Sequence, residues 1–313
     1  MISIQSLEGM VEKHNAVLIN QEICTGCGQC VLVCPTKSLS LVGGKARMTS
    51  LESISCGHCE AVCPVNAVRV PLLDDDMGNC ETFLFEKRWL RPGHFDLSRL
   101  VQLMASRRSC RNYTAQPVER AALEDLVKIG VTAPSGTNSQ LWTFTILPTR
   151  KAVESLIPVI VGFYSHLNTM AKKAVVRRGL KLIGKGELDE YYRLYYRQIR
   201  DGLAEWEKTG KDRLFHGATA AIIVGSKPGA SCPAEDALLA TQNILLAAHA
   251  MGLGTCLVGF AVAAMKNDPK VQLAAGIPGG ETVYAVIAVG HPEESYLKVA
   301  RRKKVELRYF EGE

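Results

Sequence analysis

The chain has 313 residues, of which 47% are hydrophobic and 22% charged, an ordinary globular composition with length for two domains. The net charge of +6 is uneven: residues 1–80 hold five Lys+Arg against eight Asp+Glu, and the remainder is basic by +9. With no aromatic–basic interleaving or zinc-finger spacing, the excess excludes a nucleic-acid partner and points to a phosphate-bearing small molecule. Met1–Asn15 contains Glu8, Glu12 and Lys13 and no continuous apolar run, so it does not read as a leader. No charge-free stretch of roughly 18 residues could span a bilayer. The expectation is a cytoplasmic protein with no membrane segment.

Seven of the eleven cysteines fall between Cys24 and Cys63. The first run, Cys24-Thr-Gly-Cys27-Gly-Gln-Cys30-Val-Leu-Val-Cys34-Pro35, has three closely spaced thiolates suited to wrap one cubane and a fourth suited to serve another. Zinc is the rival for Cys-x-x-Cys spacing, but it rarely uses four cysteines in so short a window followed by proline. The second run, Ser53-Ile-Ser-Cys56-Gly-His-Cys59-Glu-Ala-Val-Cys63-Pro64, repeats the first with Ser53 at the opening cysteine position. Short apolar segments, Ser38–Val42 and Ala67–Val70, follow the two runs. The segment resembles the bacterial-type ferredoxins that carry two [4Fe–4S] clusters. That resemblance implies one cluster on Cys24, Cys27, Cys30 and Cys63, and a second on Cys34, Cys56 and Cys59. The fourth ligand of the second cluster stays open among a serine oxygen, an open or lost iron, and a remote cysteine, of which Cys80 is nearest. The second cluster is read as present but more labile, [4Fe–4S] or [3Fe–4S]. His58 reads as a surface residue of the cluster loop.

Pro71–Phe95, with Asp74–Asp76, Gly78 and Arg91-Pro92-Gly93, reads as a linker carrying packed aromatics Phe83, Phe85 and Trp89. Helical periodicity resumes at Asp96–Ala105, with Leu97, Leu100, Val101 and Leu103/Met104 on one face. The run Arg107-Arg108-Ser109-Cys110-Arg111 then offers forked cationic donors suited to a phosphate. Ala133-Pro134-Ser135-Gly136-Thr137-Asn138-Ser139-Gln140-Leu141-Trp142 is a polar loop leading into the strand Thr143–Leu147. Glu235–Met251 is a helix apolar nearly all round, followed by Gly252-Leu-Gly254-Thr-Cys. After the strand Thr282–Val289 comes Arg301-Arg302-Lys303-Lys304.

In this order the segments resemble the nitroreductase family of FMN-dependent flavoproteins, over roughly residues 97–310, departing from it at Leu141, where proline usually precedes the tryptophan. The fold implied is α+β: a small ferredoxin-like iron–sulfur domain (1–75), a linker (76–96), and a domain with a central, mainly antiparallel sheet flanked by helices (97–313). Within the last, 166–213 reads as a helical lid insertion containing Tyr191, Tyr192, Tyr195, Tyr196 and Trp206. The resemblance implies that Arg107, Arg108, Ser109 and Arg111 hold the FMN phosphate and ribityl chain, completed by Arg302 with Arg301 or Lys303. Pro134, Ser135, Gly136 and Asn138 would lie along the isoalloxazine, reaching the flavin of a partner subunit in a homodimer. Leu257, Val258 and Gly259 would line the ring near N5. Gln140 is either a structural amide or a flavin contact. No dedicated catalytic acid is named; solvent, a ribityl hydroxyl or a lid tyrosine would supply the proton.

The function this implies is an oxidoreductase in which the clusters take single electrons from reduced ferredoxin or a similar low-potential donor and load FMN. The flavin then reduces a small-molecule acceptor of nitroaromatic, quinone or enone type. Alternatives are an electron-transfer or sensing module without turnover, a zinc protein with a degenerate flavin fold, and direct reduction by NAD(P)H.

Overall fold

The computed structural model describes residues 17–312. The Met1–Asn15 segment considered as a leader, and the outer ends of the expected domains at residues 1–16 and 313, lie outside the described residues. β1 (Leu18–Ile19), α1 (Gln29–Leu32), β2 (Leu39–Val42), β3 (Lys45–Met48), α2 (His58–Ala61) and β4 (Val68–Arg69) make a small module. β1 pairs with β4 and β2 with β3, both antiparallel. The two halves repeat at a 29-residue offset down to the backbone. Gly28 and Gly57 precede the short helices with φ of 74° and 77°, and Lys37 and Asn66 share left-handed φ of 54° and 52°. The core of this module is Val17, Leu39, Ala46, Val68 and Val70 together with the thiols of Cys30 and Cys59. So few apolar groups stabilise a module of this size only weakly, and bound metal is the usual supplement.

The connector has one short helical turn, Asp76–Gly78, and is held by polar contacts. The amides of Glu81 and Thr82 and the Thr82 hydroxyl all donate to the fully buried Asp125 carboxylate, at 2.7–3.1 Å. Lys128 donates to the Asn79 carbonyl at 2.8 Å and stands 3.6 Å from Asp125. The expectation of packed aromatics is not met: Phe83, Phe85 and Trp89 are 40%, 51% and 75% exposed. The anchor is polar, and the rings stay largely exposed, Trp89 most of all.

The larger part comprises α3 (Leu97–Ser106), α4 (Arg120–Gly130), β5 (Trp142–Leu147), α5 (Arg150–Lys172), α6 (Ala174–Leu182), α7 (Glu187–Leu194), α8 (Tyr196–Thr209), β6 (Ala220–Ser226), α9 (Pro233–Ala250), β7 (Gly254–Leu257), α10 (Gly259–Asn267), α11 (Pro269–Ala274) and β8 (Thr282–Gly290). The strands form one antiparallel sheet in the order β5-β6-β8-β7. Period-two alternation sends Ala220, Ile222 and Val224 to one face, against α4 and α9. Ala221 and Ile223 face the other way, against α5, α10 and α11. Both faces are therefore buried, each fully covered Leu or Ile contributing about 1.5–3 kcal/mol. No element begins at residue 166, where the lid was expected to start: α5 runs unbroken from Arg150 to Lys172, α6 begins at Ala174, and α8 packs Ile199, Leu203 and Trp206 back on the core. α3 has the expected apolar stripe, yet Leu97, Val101 and Met104 are half-exposed or more, as are Leu297, Leu307, Tyr309 and Phe310 of the C-terminal tail. Among the described residues no helix is long and apolar enough to cross a membrane.

Beside β7, residues Arg107–Tyr113 lie along the sheet edge, with Ser109 bridged to Thr255 and Tyr113 to Pro292. The paired residues Gly254 and Gly290 make this possible. A Cβ on Gly254 would sit 2.8 Å from Cys110 Cβ, and one on Gly290 would sit 2.7 Å from a Tyr113 ring carbon. Gly290→Ala should accordingly lower unfolding stability by about 1–3 kcal/mol, read as a lower urea midpoint with an unchanged slope; an unshifted midpoint would show that the edge tolerates the methyl group. Burial alone would raise the Asp125 pKa, but the Thr82 hydroxyl, the two amides and Lys128 together hold it below the usual carboxylate range. Its contribution is thus complete above the unfolded carboxylate pKa of about 4 and is lost as the pH falls through the lower folded value. Hydrogen exchange at the Glu81 and Thr82 amides should rise in that acidic window in the native chain. Asp125→Ala should expose them at neutral pH as well and lower stability by about 1.5–3 kcal/mol; equal protection in both proteins would count against the clamp.

Candidate iron–sulfur and flavin sites

Cys24, Cys27, Cys30 and Cys63 line one small cavity, and Cys34, Cys56 and Cys59 line a second together with Ser53, Ser55 and His58. The last cysteine of each run crosses to the other cavity, the same grouping that the ferredoxin resemblance implies. Gly26 belongs to the first wall by necessity, since a Cβ there would lie 1.9 Å from the Gly44 carbonyl oxygen. Backbone amides point at the sulfurs in matched pairs: Ser38 donates to Cys34 Sγ at 3.3 Å, and Ala67 to Cys63 Sγ at 3.1 Å. Amides of Ala46 and Gly26 hold the Cys24 thiol below its ordinary pKa. Burial, reinforced by Cys56 and Cys34, pushes the Cys59 thiol up to about 11. Among the described residues no three Cys, His, Asp or Glu side chains converge on a single-ion site. Sulfurs arranged around a void fit a multi-iron cluster better than tetrahedral zinc, whose thiolates sit about 2.3 Å from one ion. Cys80 stands beside Asp125 and Lys128 and is not among the residues lining the second cavity. His58 is exposed at its rim.

Arg107, Arg108, Arg111, Arg301 and Arg302 have no ion-pair partner among the described residues. Burial lowers the Arg107 pKa, and the charges of Arg108 and Arg302 lower it further. Of the two tail arginines, Arg302 is the one whose charge bears on Arg107. Three guanidiniums crowded without a carboxylate fit a phosphate, which can accept from each. Ser109, bridged to Thr255, is brought to the same edge.

The strip adjoins a cleft of about 1010 Å³ lined by Arg111 and by Leu257, Val258 and Gly259. Leu257 and Gly259 are exposed to it, whereas Val258 is buried. The cleft is also lined by Phe163, Tyr164, Tyr191, Tyr195 and Phe260. Tyr164 donates to the Phe260 carbonyl at 2.8 Å and Tyr191 to Asn168 Oδ1 at 2.7 Å, so both phenols are engaged, and burial raises both pKa values. Among these lid tyrosines, Tyr195 is 44% exposed. Two cleft residues escaped the sequence reading, His216 and Arg213. His216 has a left-handed φ of 57°, and burial followed by Arg111 lowers its pKa against the opposing pull of Asp212 and Glu294. Its turn is built by Asp212, which accepts from the amides of Leu214, Phe215 and Gly217 and pairs with Arg150 at 2.8 Å. The punctuation Asp212…His216-Gly217 between a charged helix and an apolar strand was the available signal.

The loop Pro134–Gln140 stands elsewhere. Gly136 donates its amide to the buried Asp236 carboxylate at 2.9 Å, Ser135 Oγ accepts from the Gln140 amide at 3.2 Å, and Pro134 is exposed. Thr137, Asn138 and Gln140 all have left-handed φ. Asn138 Nδ2 donates to the carbonyls of Ile54 and Ser55, at 3.0 and 3.1 Å, so this side chain is turned into the wall of the second cysteine cavity. Gln140 supports it by donating to Asn138 Oδ1 at 2.9 Å, a structural amide. The loop leads into Trp142, paired with Ser226, which is paired with Thr282; the arginine strip is bridged to Thr255, paired with Val289. Loop and strip therefore occupy diagonally opposite corners of the sheet, about 19 Å apart across the strands and about 24 Å along them. Within one chain the two groups of residues are not brought together.

Residues 104–291 match the Nitroreductase family, and residues 16–64 match a 4Fe-4S dicluster domain. A nitroreductase with bound FMN from Bacteroides fragilis superposes with a TM-score of 0.51 at 22% identity, over 68% of this chain and 98% of that one, a likeness of fold. The NADH dehydrogenase of Thermus thermophilus is 25% identical over 61% of this chain and 85% of its own length. The iodotyrosine deiodinase of Daphnia pulex is 21% identical over 61% of this chain and 58% of its own. The chain belongs to the Nitroreductase family and is an oxidoreductase of that family with a 4Fe-4S domain toward its N-terminus.

Proposed function

We infer that the protein passes electrons from a low-potential donor such as reduced ferredoxin, through two iron–sulfur clusters, to FMN for reduction of an organic acceptor of nitroaromatic, quinone or enone type, in the cytoplasm. The observation that carries this reading is the Asn138 contact, which ties the loop assigned to the flavin directly to the wall of the second cysteine cavity. When bound, FMN supplies chemistry that accepts electrons singly and delivers two together, while each cluster carries one. Arg107, Arg108, Arg111 and Arg302 would hold the phosphate, Ser109 the ribityl chain, and Leu257–Gly259 the ring edge. The aromatic wall of Phe163, Tyr195 and Phe260 would select flat acceptors and exclude water.

The diagonal separation of loop and strip supports a homodimer. A single flavin on the strip is too short to reach its own chain's Pro134, Ser135, Gly136 and Asn138, so the partner copy supplies that loop. Each loop then stands between its own chain's second cavity and the partner's arginines. The uncovered stripe of α3 and the apolar tail are the surfaces such a partner would bury. A second reading, direct donation by reduced nicotinamide, is favoured by the name of the Thermus relative.

Anaerobic purification should give FMN together with about eight irons per chain for two cubanes, about seven for a three-iron second cluster and about four for a lost one. Zinc without acid-labile sulfide would end the reading. Arg107→Ala should weaken FMN binding by about 10–100-fold, the loss of one charge-assisted contact, measured by flavin fluorescence; unchanged affinity would remove Arg107 from the phosphate site. Fast flavin reduction by NAD(P)H, unaffected by cluster loss, would favour the nicotinamide donor over ferredoxin.

A further inference from the structure

The 29-residue repeat sets Ser55 opposite Gly26. Both have positive φ, 68° for Gly26 and 50° for Ser55. Glycine occupies this conformation without steric conflict, whereas serine does not. A serine at this position is therefore a local conflict, and such conflicts gather where the side chain has a use. Ser55 is 3% exposed, its hydroxyl has no hydrogen-bond partner among the described residues, and it lines the second cysteine cavity. A buried hydroxyl without a partner is uncommon in a folded protein and calls for an unrepresented partner. The two serines of the wall play different parts. Ser53 is in register with Cys24, and its oxygen accepts the Ser55 amide at 3.2 Å, as the Cys24 sulfur accepts the Gly26 amide. Ser53 therefore keeps the place of the missing thiolate, and the Ser55 hydroxyl is a group that the first repeat does not have.

We propose that the Ser55 hydroxyl donates a hydrogen bond to a sulfur of the second iron–sulfur cluster, and that Asn138 positions it by holding the carbonyls of Ile54 and Ser55. This rests on the reading that the second cavity holds a cluster. Thiolate and sulfide become more basic when the cluster takes an electron, so a donor aimed at them favours the reduced state and raises the potential. The first cavity has Gly26 at the matching position and therefore no hydroxyl there. The wall next to the flavin-side loop is thereby the more readily reduced of the two, which gives the pair a direction: electrons fall from the first cavity toward the second and the Asn138 loop. Because the Asn138 side chain comes from the other part of the molecule, the potential depends on the two parts being docked.

The test uses the full-length protein, anaerobically purified, with Ser55→Gly as the variant. Glycine adopts φ of 50° freely, so folding is preserved while the hydroxyl is lost. EPR-monitored redox titration should show the second cluster shifted to a more negative midpoint potential, with the first cluster unmoved and the iron and sulfide content unchanged. An unshifted second cluster overturns the inference, and so does loss of about one iron per chain, which would make Ser55 an iron ligand instead. Asn138→Ala should move the same cluster in the same direction by a smaller amount; a potential that stays at the native value would refute the positioning role. Native protein with about four irons per chain would remove the second cluster and the proposed electron path together. An unmoved potential in an eight-iron protein would remove only the role given to Ser55.

Discussion

Both faces of the four-stranded sheet are covered by helices, and this limits where the molecule can do chemistry. Side chains of β6 and β8 alternate between two packed layers and, apart from Thr282 and Tyr284 at the start of β8, are buried. What is left is the two edge strands and the loops at the strand ends. One edge, β7, is closed by the Arg107–Tyr113 strip, which fits because paired glycines stand where side chains would collide with Cys110 and Tyr113. The loop before the other edge, β5, leans on the cysteine module. Cation-rich and thiol-rich chemistry are thus pushed to opposite corners by the same packing requirement, and a second copy is the economical way to rejoin them.

The cysteine module solves a different problem. Its apolar core is a handful of residues completed by the thiols of Cys30 and Cys59, and its loops curl through left-handed turns placed at matched positions in the two halves. Amides directed at sulfur recur in those same positions. The backbone is laid out for a cluster before any side chain is considered. The departures from the repeat, Ser53 for cysteine and Ser55 for glycine, both fall in the half that touches Asn138.

Much of this was legible in the residues. The resemblance to two-cluster ferredoxins implied the grouping of the cysteines, and the resemblance carried by the ordered motifs implied the fold class and the segments that meet at the strip. Contacts between distant segments were not legible, because no local pattern encodes them. The donation of the Asn138 side chain to the carbonyls of Ile54 and Ser55 had no signal in the sequence, nor did the place of Cys80 beside Asp125. Phe83, Phe85 and Trp89 looked packed because aromatic residues usually are, but the connector is anchored by a carboxylate and leaves them exposed. His216 went unnoticed because its importance comes from a turn built by Asp212, and one histidine in a sequence carries no such signal. The lid boundary was hidden because the apolar periodicity of α5 runs through residue 166 to the end of the helix at Lys172.

The clamp at Asp125 has a consequence for how fast the two parts of the molecule can meet. From Val70 at the end of the module to Glu81 at the clamp there are only about ten residues, a flexible span of roughly 17 Å. A tether that short keeps the cysteine module at an effective concentration of order millimolar beside the Asn138 loop. Encounter between them is then intramolecular and independent of dilution, unlike the meeting of two separate proteins, which must wait for collision.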